Sequence, residues 1–220
     1  MFTDTAVAEY FSNQMILAKF NAEIDSTLAS EYRISGFPTA VLVRPDGTEI
    51  DRIVGYMDPP DYLQTLIDYQ NGIGTLDDLL ATADTTEDRL LYFEIADKYK
   101  YRGGSDEARL WYERVIDAGE STDSLSGESR LAMADMERRA KEYDRAVEAF
   151  QKIMDDFEGQ WFAMDAEIYV AICHRQKGDT AAAISAFEGY IEHYPESPDI
   201  EYARSQIERL SGTPEDEGDN

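Results

Sequence analysis

Between residues 87 and 211 apolar side chains recur every three or four positions, the spacing of one helix face, and the recurrences fall into three similar blocks. In each block an alanine is followed twelve residues later by another, and that one by an aromatic four residues on: Ala96/Ala108/Tyr112, Ala134/Ala146/Phe150 and Ala171/Ala183/Phe187. An apolar residue precedes each first alanine (Ile95, Met133, Val170), and another lies seven residues after each second one (Val115, Ile153, Tyr190). Two helices approach closely only where the side chains at their crossing are small, so each pair predicts a helical hairpin whose aromatic fills the wedge beyond the crossing. The hairpins are expected at about 87–121, 126–158 and 162–196, and Ile200 to Leu210, apolar on one side and charged on the other, predicts a capping helix.

The first 75 residues have another rhythm. Met15–Phe20 reads as a short buried strand, Ser26–Tyr32 as a helix and Ala40–Val43 as a second strand. Pro45-Asp46-Gly47-Thr48 is a hairpin turn leading into the alternating strand Ile50–Tyr56. Asp58 is expected to cap a helix that opens on Pro59-Pro60 and buries Tyr62, Leu63, Leu66 and Ile67. After Asn71-Gly72-Ile73-Gly74, a linker helix over Leu76–Ala83 is expected to pack the first domain against the first hairpin. The expected division is therefore 1–75, a linker at 76–86, the helical array at 87–211 and a disordered acidic tail at 212–220.

Two families are recognisable in these residues. The second alanines are 38 and 37 residues apart, close to the period of about 34 of tetratricopeptide arrays, and the excess is assigned to turns near Ser121–Gly127 and Gly159–Trp161. The third block resembles such a repeat most closely, with Ala171, the turn Lys177-Gly178-Asp179, Ala183, Phe187 and a terminating Pro195. Upstream, Asp4–Ile73 resembles the second half of a thioredoxin-like domain, on the strength of Val7-Ala8-Glu9-Tyr10-Phe11, Ser35-Gly36-Phe37-Pro38-Thr39, and Pro45-Asp46-Gly47 followed by Arg52-Ile53-Val54-Gly55-Tyr56. That resemblance implies a cis proline at Pro38, framed by Gly36, Phe37 and Thr39. It also implies a central strand and a Cys-x-x-Cys helix that do not precede Met1 in this chain. Without that strand, Met15–Phe20 and Ala40–Val43 are expected to pair directly in parallel, giving a three-stranded sheet with an antiparallel last pair. The fold expected is α/β plus all-α: a truncated thioredoxin-like sheet, then three tetratricopeptide repeats and a cap.

Composition narrows the chemistry. The 220 residues carry 46 acidic and 20 basic side chains, a formal charge of −26, which disfavours nucleic acid and anionic membrane surfaces as partners. No stretch approaches the 18 apolar residues of a spanning helix, and no signal-like h-region opens the chain, so the default compartment is cytoplasmic, or exported if the natural N-terminus is longer. Thiol–disulfide exchange needs a nucleophilic thiolate and a second thiol, and the chain has one cysteine, Cys173. Cys173-His174 lie about 100° apart on one helix and His193 adds no ligand spacing, so no metal site is expected. With no P-loop, glycine-rich dinucleotide turn or Gly-x-Ser-x-Gly elbow, neither a catalytic residue nor a cofactor is assigned.

What remains is the surface of the array. In tetratricopeptide stacks the first helices of the repeats line a concave groove, and by register the projecting rows are Phe93, Leu131 and Ile168; Asp97, Asp135 and Ile172; and Lys100, Arg138 and Arg175. An apolar strip beside three cations suits a peptide bearing acidic groups, although Asp97/Lys100 and Asp135/Arg138 are also i,i+3 pairs that steady a bare helix. Two function classes follow: a non-catalytic adaptor that binds a protein or peptide, or the C-terminal part of a thiol–disulfide oxidoreductase whose Cys-x-x-Cys segment lies upstream. Self-association through the array is a third, blander option.

Overall fold

The computed structural model describes residues 4–22 and 24–212, so the acidic tail expected at 212–220 lies almost wholly outside the described residues. The chain forms two compact units, 1–111 and 112–220.

The first unit opens on α1 (Thr5–Gln14), whose first turn is closed by Asp4 accepting the Ala6 and Val7 N–H groups, and continues through the short α2 (Ser26–Glu31). Strands β1 (Thr39–Val43) and β2 (Glu49–Val54) form an antiparallel hairpin with a bulge at Leu42/Val43. Helices α3 (Pro59–Gln70), α4 (Leu76–Ala83) and α5 (Arg89–Tyr101) follow, and α6 (Ser105–Asp117) runs across the boundary between the units. Asp58 holds the N-cap position of α3 without a capping side-chain bond; it accepts instead from the Tyr56 hydroxyl at 3.3 Å.

The expected three-stranded sheet is corrected here: among the described residues the sheet has two strands, and Met15–Phe20 is not one of them. An extended segment becomes a strand only if a neighbour takes its N–H and C=O groups, and among the described residues no strand pairs with this segment. Met15 packs inward against the core of Val7, Phe11, Ile53, Tyr62 and Leu66, whereas Ile16, Leu17 and Phe20 lie exposed.

The outer side of β2 is tied to the helices by a buried ionic network. Asp51, fully buried in an otherwise apolar strand face, accepts from the Leu76 N–H at the start of α4 (2.7 Å) and from its neighbour's Arg52 N–H (2.7 Å). It also pairs with Lys98 Nζ (3.1 Å) and Arg102 Nη2 (3.0 Å) at the end of α5. Lys98 donates in addition to the Tyr69 hydroxyl of α3 (3.0 Å), and Glu49 holds both Arg52 (2.5 Å) and Arg102 (3.1 Å). Through this network α5 and the sheet belong to one compact unit.

The second unit stacks α7 (Ser124–Arg139), α8 (Tyr143–Asp156), α9 (Trp161–Lys177), α10 (Thr180–His193) and α11 (Ile200–Ser211), each packed on the next. Asp123 caps α7 through the Ser126 N–H and Asp179 caps α10 through the Ala182 N–H, while Gly178 ends α9 in the left-handed conformation. Because α7 begins at Ser124, half of the stretch expected to be an inter-repeat turn is helix. Gly127 in its first turn faces the ring of the fully buried Phe162. Over the chain, all six alanines of the sequence pattern are at most 1% exposed, and Tyr112, Phe150 and Phe187 are fully buried. Ala134 and Ala146 share one core cluster with Phe150, Ile153, Phe162 and Cys173.

Candidate functional site

The sequence-derived rows fall on α5, α7 and α9. On α5, in the first unit, Lys100 donates to Asp97 at 2.5 Å and its ammonium lies 4.5 Å from the centre of the Tyr101 ring. The other six positions belong to the second unit, where α7 and α9 pack against each other.

There the cationic positions are braced, not loose. Arg138 donates to Asp135 Oδ1 through Nε (2.8 Å) and Nη2 (2.6 Å), extends Nη1 to Gln176 Oε1 on α9 (3.1 Å), and stacks its guanidinium 5.4 Å from the Tyr169 ring centre. Asp135 Oδ2 also accepts from Arg139 Nε (2.6 Å), so one carboxylate serves two guanidinium groups. Arg175 sends Nη1 to Gln206 Oε1 on α11 (2.8 Å), while its Nε is buried and has no hydrogen-bond partner. Gln206 is 3% exposed and uncharged, so it orients Arg175 without neutralising it. Rungs Arg138–Gln176 and Arg175–Gln206 therefore link α7 to α9 and α9 to α11.

The apolar positions are drawn further inward. Ile168, 6% exposed, belongs to the core with Ala171, Phe187, Tyr190 and Ala203, and Ile172 packs against that cluster. Leu131 packs against the cluster around Phe150 and Phe162. Between them, Tyr169 has its hydroxyl pKa raised by burial, with Asp135 pushing the same way. Cys173 is fully buried, and that burial pushes its thiol up to about 11, which leaves almost no thiolate at neutral pH.

Sequence spacing places the arginines on α7 and α9 but does not point to the residues that hold them. Gln176 and Gln206 are ordinary polar residues on amphipathic helices, and only the packing of α9 against its neighbours reveals their role. In the first unit the Phe37–Pro38 bond is cis, and beside it the Thr39 hydroxyl donates to the Gly36 carbonyl at 2.8 Å. Phe37 itself is largely exposed.

Residues 3–71 match the thioredoxin-like domain family, and residues 93–160 and 165–197 match two tetratricopeptide repeat families. No curated protein matches the chain. Among solved structures it is similar to the nearly identical TPR-like repeats of a putative kinesin light chain from Podosopora anserina, at 17% identity and a TM-score of 0.50 over 70% of this chain and 87% of that one. A point variant of those repeats gives the same figures. The crystal structure of MamA aligns at 18% identity and a TM-score of 0.49, over 71% of this chain and 84% of that one. At such identities the kinesin light chain likeness is one of fold. The family matches agree with the hairpins and with the α1–β1–β2–α3 unit, and the chain is a thioredoxin-like domain followed by tetratricopeptide repeats.

Proposed function

We propose that the protein is a non-catalytic adaptor whose repeats bind a peptide or protein segment bearing acidic groups, with Arg138 and Arg175 as the recognition pair. Tetratricopeptide repeats are protein-interaction modules, and the supporting observation is Arg175: a cation whose hydrogen-bonding partner among the described residues, Gln206, is neutral. A guanidinium held by a neutral amide keeps its full charge, and a ligand carboxylate would form a charge-assisted hydrogen bond with it. On a chain of charge −26 a fixed pair of guanidinium groups is also a local exception that selects acidic ligands. Within the second unit Leu131 and Ile172 would supply the apolar side of the groove.

The test is capture of immobilised acidic peptides by the whole chain and by the variant Arg138→Gln with Arg175→Gln. Glutamine leaves Asp135 paired with Arg139, so the helices should hold. Each lost charged hydrogen bond is worth about 1.5–3 kcal/mol, so capture should fall at least about tenfold per arginine with an unchanged circular dichroism spectrum. Undiminished capture would discard the groove reading. A redox setting is the second part of the proposal and rests on the match over 3–71. An open reading frame running upstream of Met1 into a Cys-x-x-Cys helix would favour the oxidoreductase alternative.

A further inference from the structure

Both arginines of the second unit lean the same way along the stack. Arg138 on α7 reaches Gln176 on α9, and Arg175 on α9 reaches Gln206 on α11. Each guanidinium is displaced from its own helix toward the next, so the distance between the two charges repeats the distance between α7 and α9. Those helices pack on each other, and packed helices have axes about 8–10 Å apart. Bracing fixes that distance. Arg138 is held by Asp135 (2.8 and 2.6 Å) as well as by Gln176 (3.1 Å), and Arg175 by the buried Gln206 (2.8 Å). The apolar positions beside them lie low: Ile168 is part of the core, Leu131 and Ile172 pack against core clusters, and none of the three is exposed.

We infer, on the basis of that proposed recognition pair, that the segment it binds is a polyproline II helix with acidic side chains three residues apart. Such a helix rises about 3.1 Å per residue and turns once in three, so residues i and i+3 project from one side about 9 Å apart. That is the spacing of the two arginines. A β-strand rises about 3.3 Å per residue and returns to the same side every second residue, which sets like-facing carboxylates about 6.6 or 13 Å apart. Those values straddle the arginine spacing. In an α-helix, residues seven apart are separated by about 10.5 Å, but a bound helix gains its affinity by laying an apolar face in an apolar groove, and here the apolar rows are withdrawn into the core. A polyproline II segment needs no such face. Its backbone makes no internal hydrogen bonds, so its carbonyls are open to side-chain donors, and the exposed Gln176 offers an amide beside Arg138. The half-buried Tyr169 sets its ring centre 5.4 Å from the same guanidinium, and aromatic rings are what proline-rich segments dock against.

The probes are fluorescein-labelled, C-terminally amidated peptides carrying two aspartates in a proline frame, titrated with the whole chain and followed by fluorescence anisotropy. Aspartate keeps the carboxylate on a short arm and, placed before proline, is itself driven toward the polyproline II region. Aspartates three apart are compared with the same residues rearranged to two and four apart, where the carboxylates face different sides. The three-residue spacing is expected to bind at least about tenfold tighter than either rearrangement, the worth of one hydrogen bond to a charged group. Arg138→Gln and Arg175→Gln should each bring it down to the level of the rearranged peptides. The peptide comparisons use the unaltered chain, so they decide even where a variant unfolds. Four results overturn the inference. Equal binding of all three peptides, lost in the double glutamine variant, keeps the arginines as the recognition pair but removes the spacing. Equal binding after the prolines are replaced by glycine removes the polyproline conformation. Equal binding of a helical alanine-based peptide with aspartates seven apart gives the groove to a helix. Binding no tighter than that of the asparagine version of the peptide removes the recognition pair and its ligand together.

Discussion

Gly127 separates two opposed physical expectations. In the first turn of α7, replacing glycine by alanine would ordinarily stabilise the helix by about 1 kcal/mol through backbone entropy. Here a methyl group would sit 2.3 Å from Phe162 Cε2, 2.4 Å from Cζ and 3.0 Å from Cδ2. Carbon atoms rest at about 3.5–4.0 Å, so the ring must move by more than an ångström. It has nowhere to go: Phe162 is fully buried, with Phe157 edge-on at 4.9 Å and Trp161 edge-on at 5.5 Å. Overpacking of this severity belongs near the upper end of the usual range of about 1–3 kcal/mol. Subtracting the helix gain leaves Gly127→Ala less stable by about 2 kcal/mol, and with a urea m-value of about 2 kcal/mol/M the midpoint should fall by about 1 M. Phe162→Leu removes the two ring atoms that clash most, so in that background the same substitution should be neutral or stabilising. Urea melts of the four chains, followed by circular dichroism at 25 °C, decide the matter. A midpoint that rises in Gly127→Ala, or falls equally in both backgrounds, would refute the steric account.

Other substitutions probe the buried charges. Asp51→Ala leaves Lys98 and Arg102 without their shared carboxylate and should destabilise the first unit by about 3–5 kcal/mol, seen as an early transition in thermal melts. Asp165 has its pKa raised by burial and, secondarily, by Asp199. An acid whose folded pKa lies above its unfolded one stabilises the fold as it becomes protonated on acidification through the folded value and opposes it at neutral pH; Asp165→Asn should therefore raise the melting temperature at pH 7, with the gain vanishing as the pH falls below the carboxylate range. Cys173, with its thiol pushed up to about 11, should resist a thiol reagent at pH 8 in the native protein and react within minutes in guanidinium chloride; fast native labelling would contradict its burial.

The repeats could be read from sequence because the helix crossings depend on side-chain volume, which the sequence states directly: alanines at 96, 108, 134, 146, 171 and 183 are buried as their spacing implies. The hairpin at Pro45–Thr48 and the proline-initiated α3 are likewise local effects. Met15–Phe20 shows the limit. Its apolar run carries a side-chain pattern, but a strand is a property of two segments, and among the described residues none pairs with this one. Asp51 shows another limit, since the partners that hold its buried carboxylate lie 25 and 47 residues downstream at Leu76 and Lys98. At the candidate site the arginine register was visible, but the burial of Ile168 and the bracing by Gln176 and Gln206 follow from how α9 is enclosed by its neighbours.

The carboxylate at position 51 also governs how the polypeptide can be dissected. A cut placed where the family resemblance stops, near residue 75, would strip Asp51 of the Leu76 amide and the Lys98 ammonium at once and expose a charged hole in the strand. The isolated N-terminal fragment should accordingly behave as a partly collapsed chain, and a stable excised piece should have to reach past Arg102.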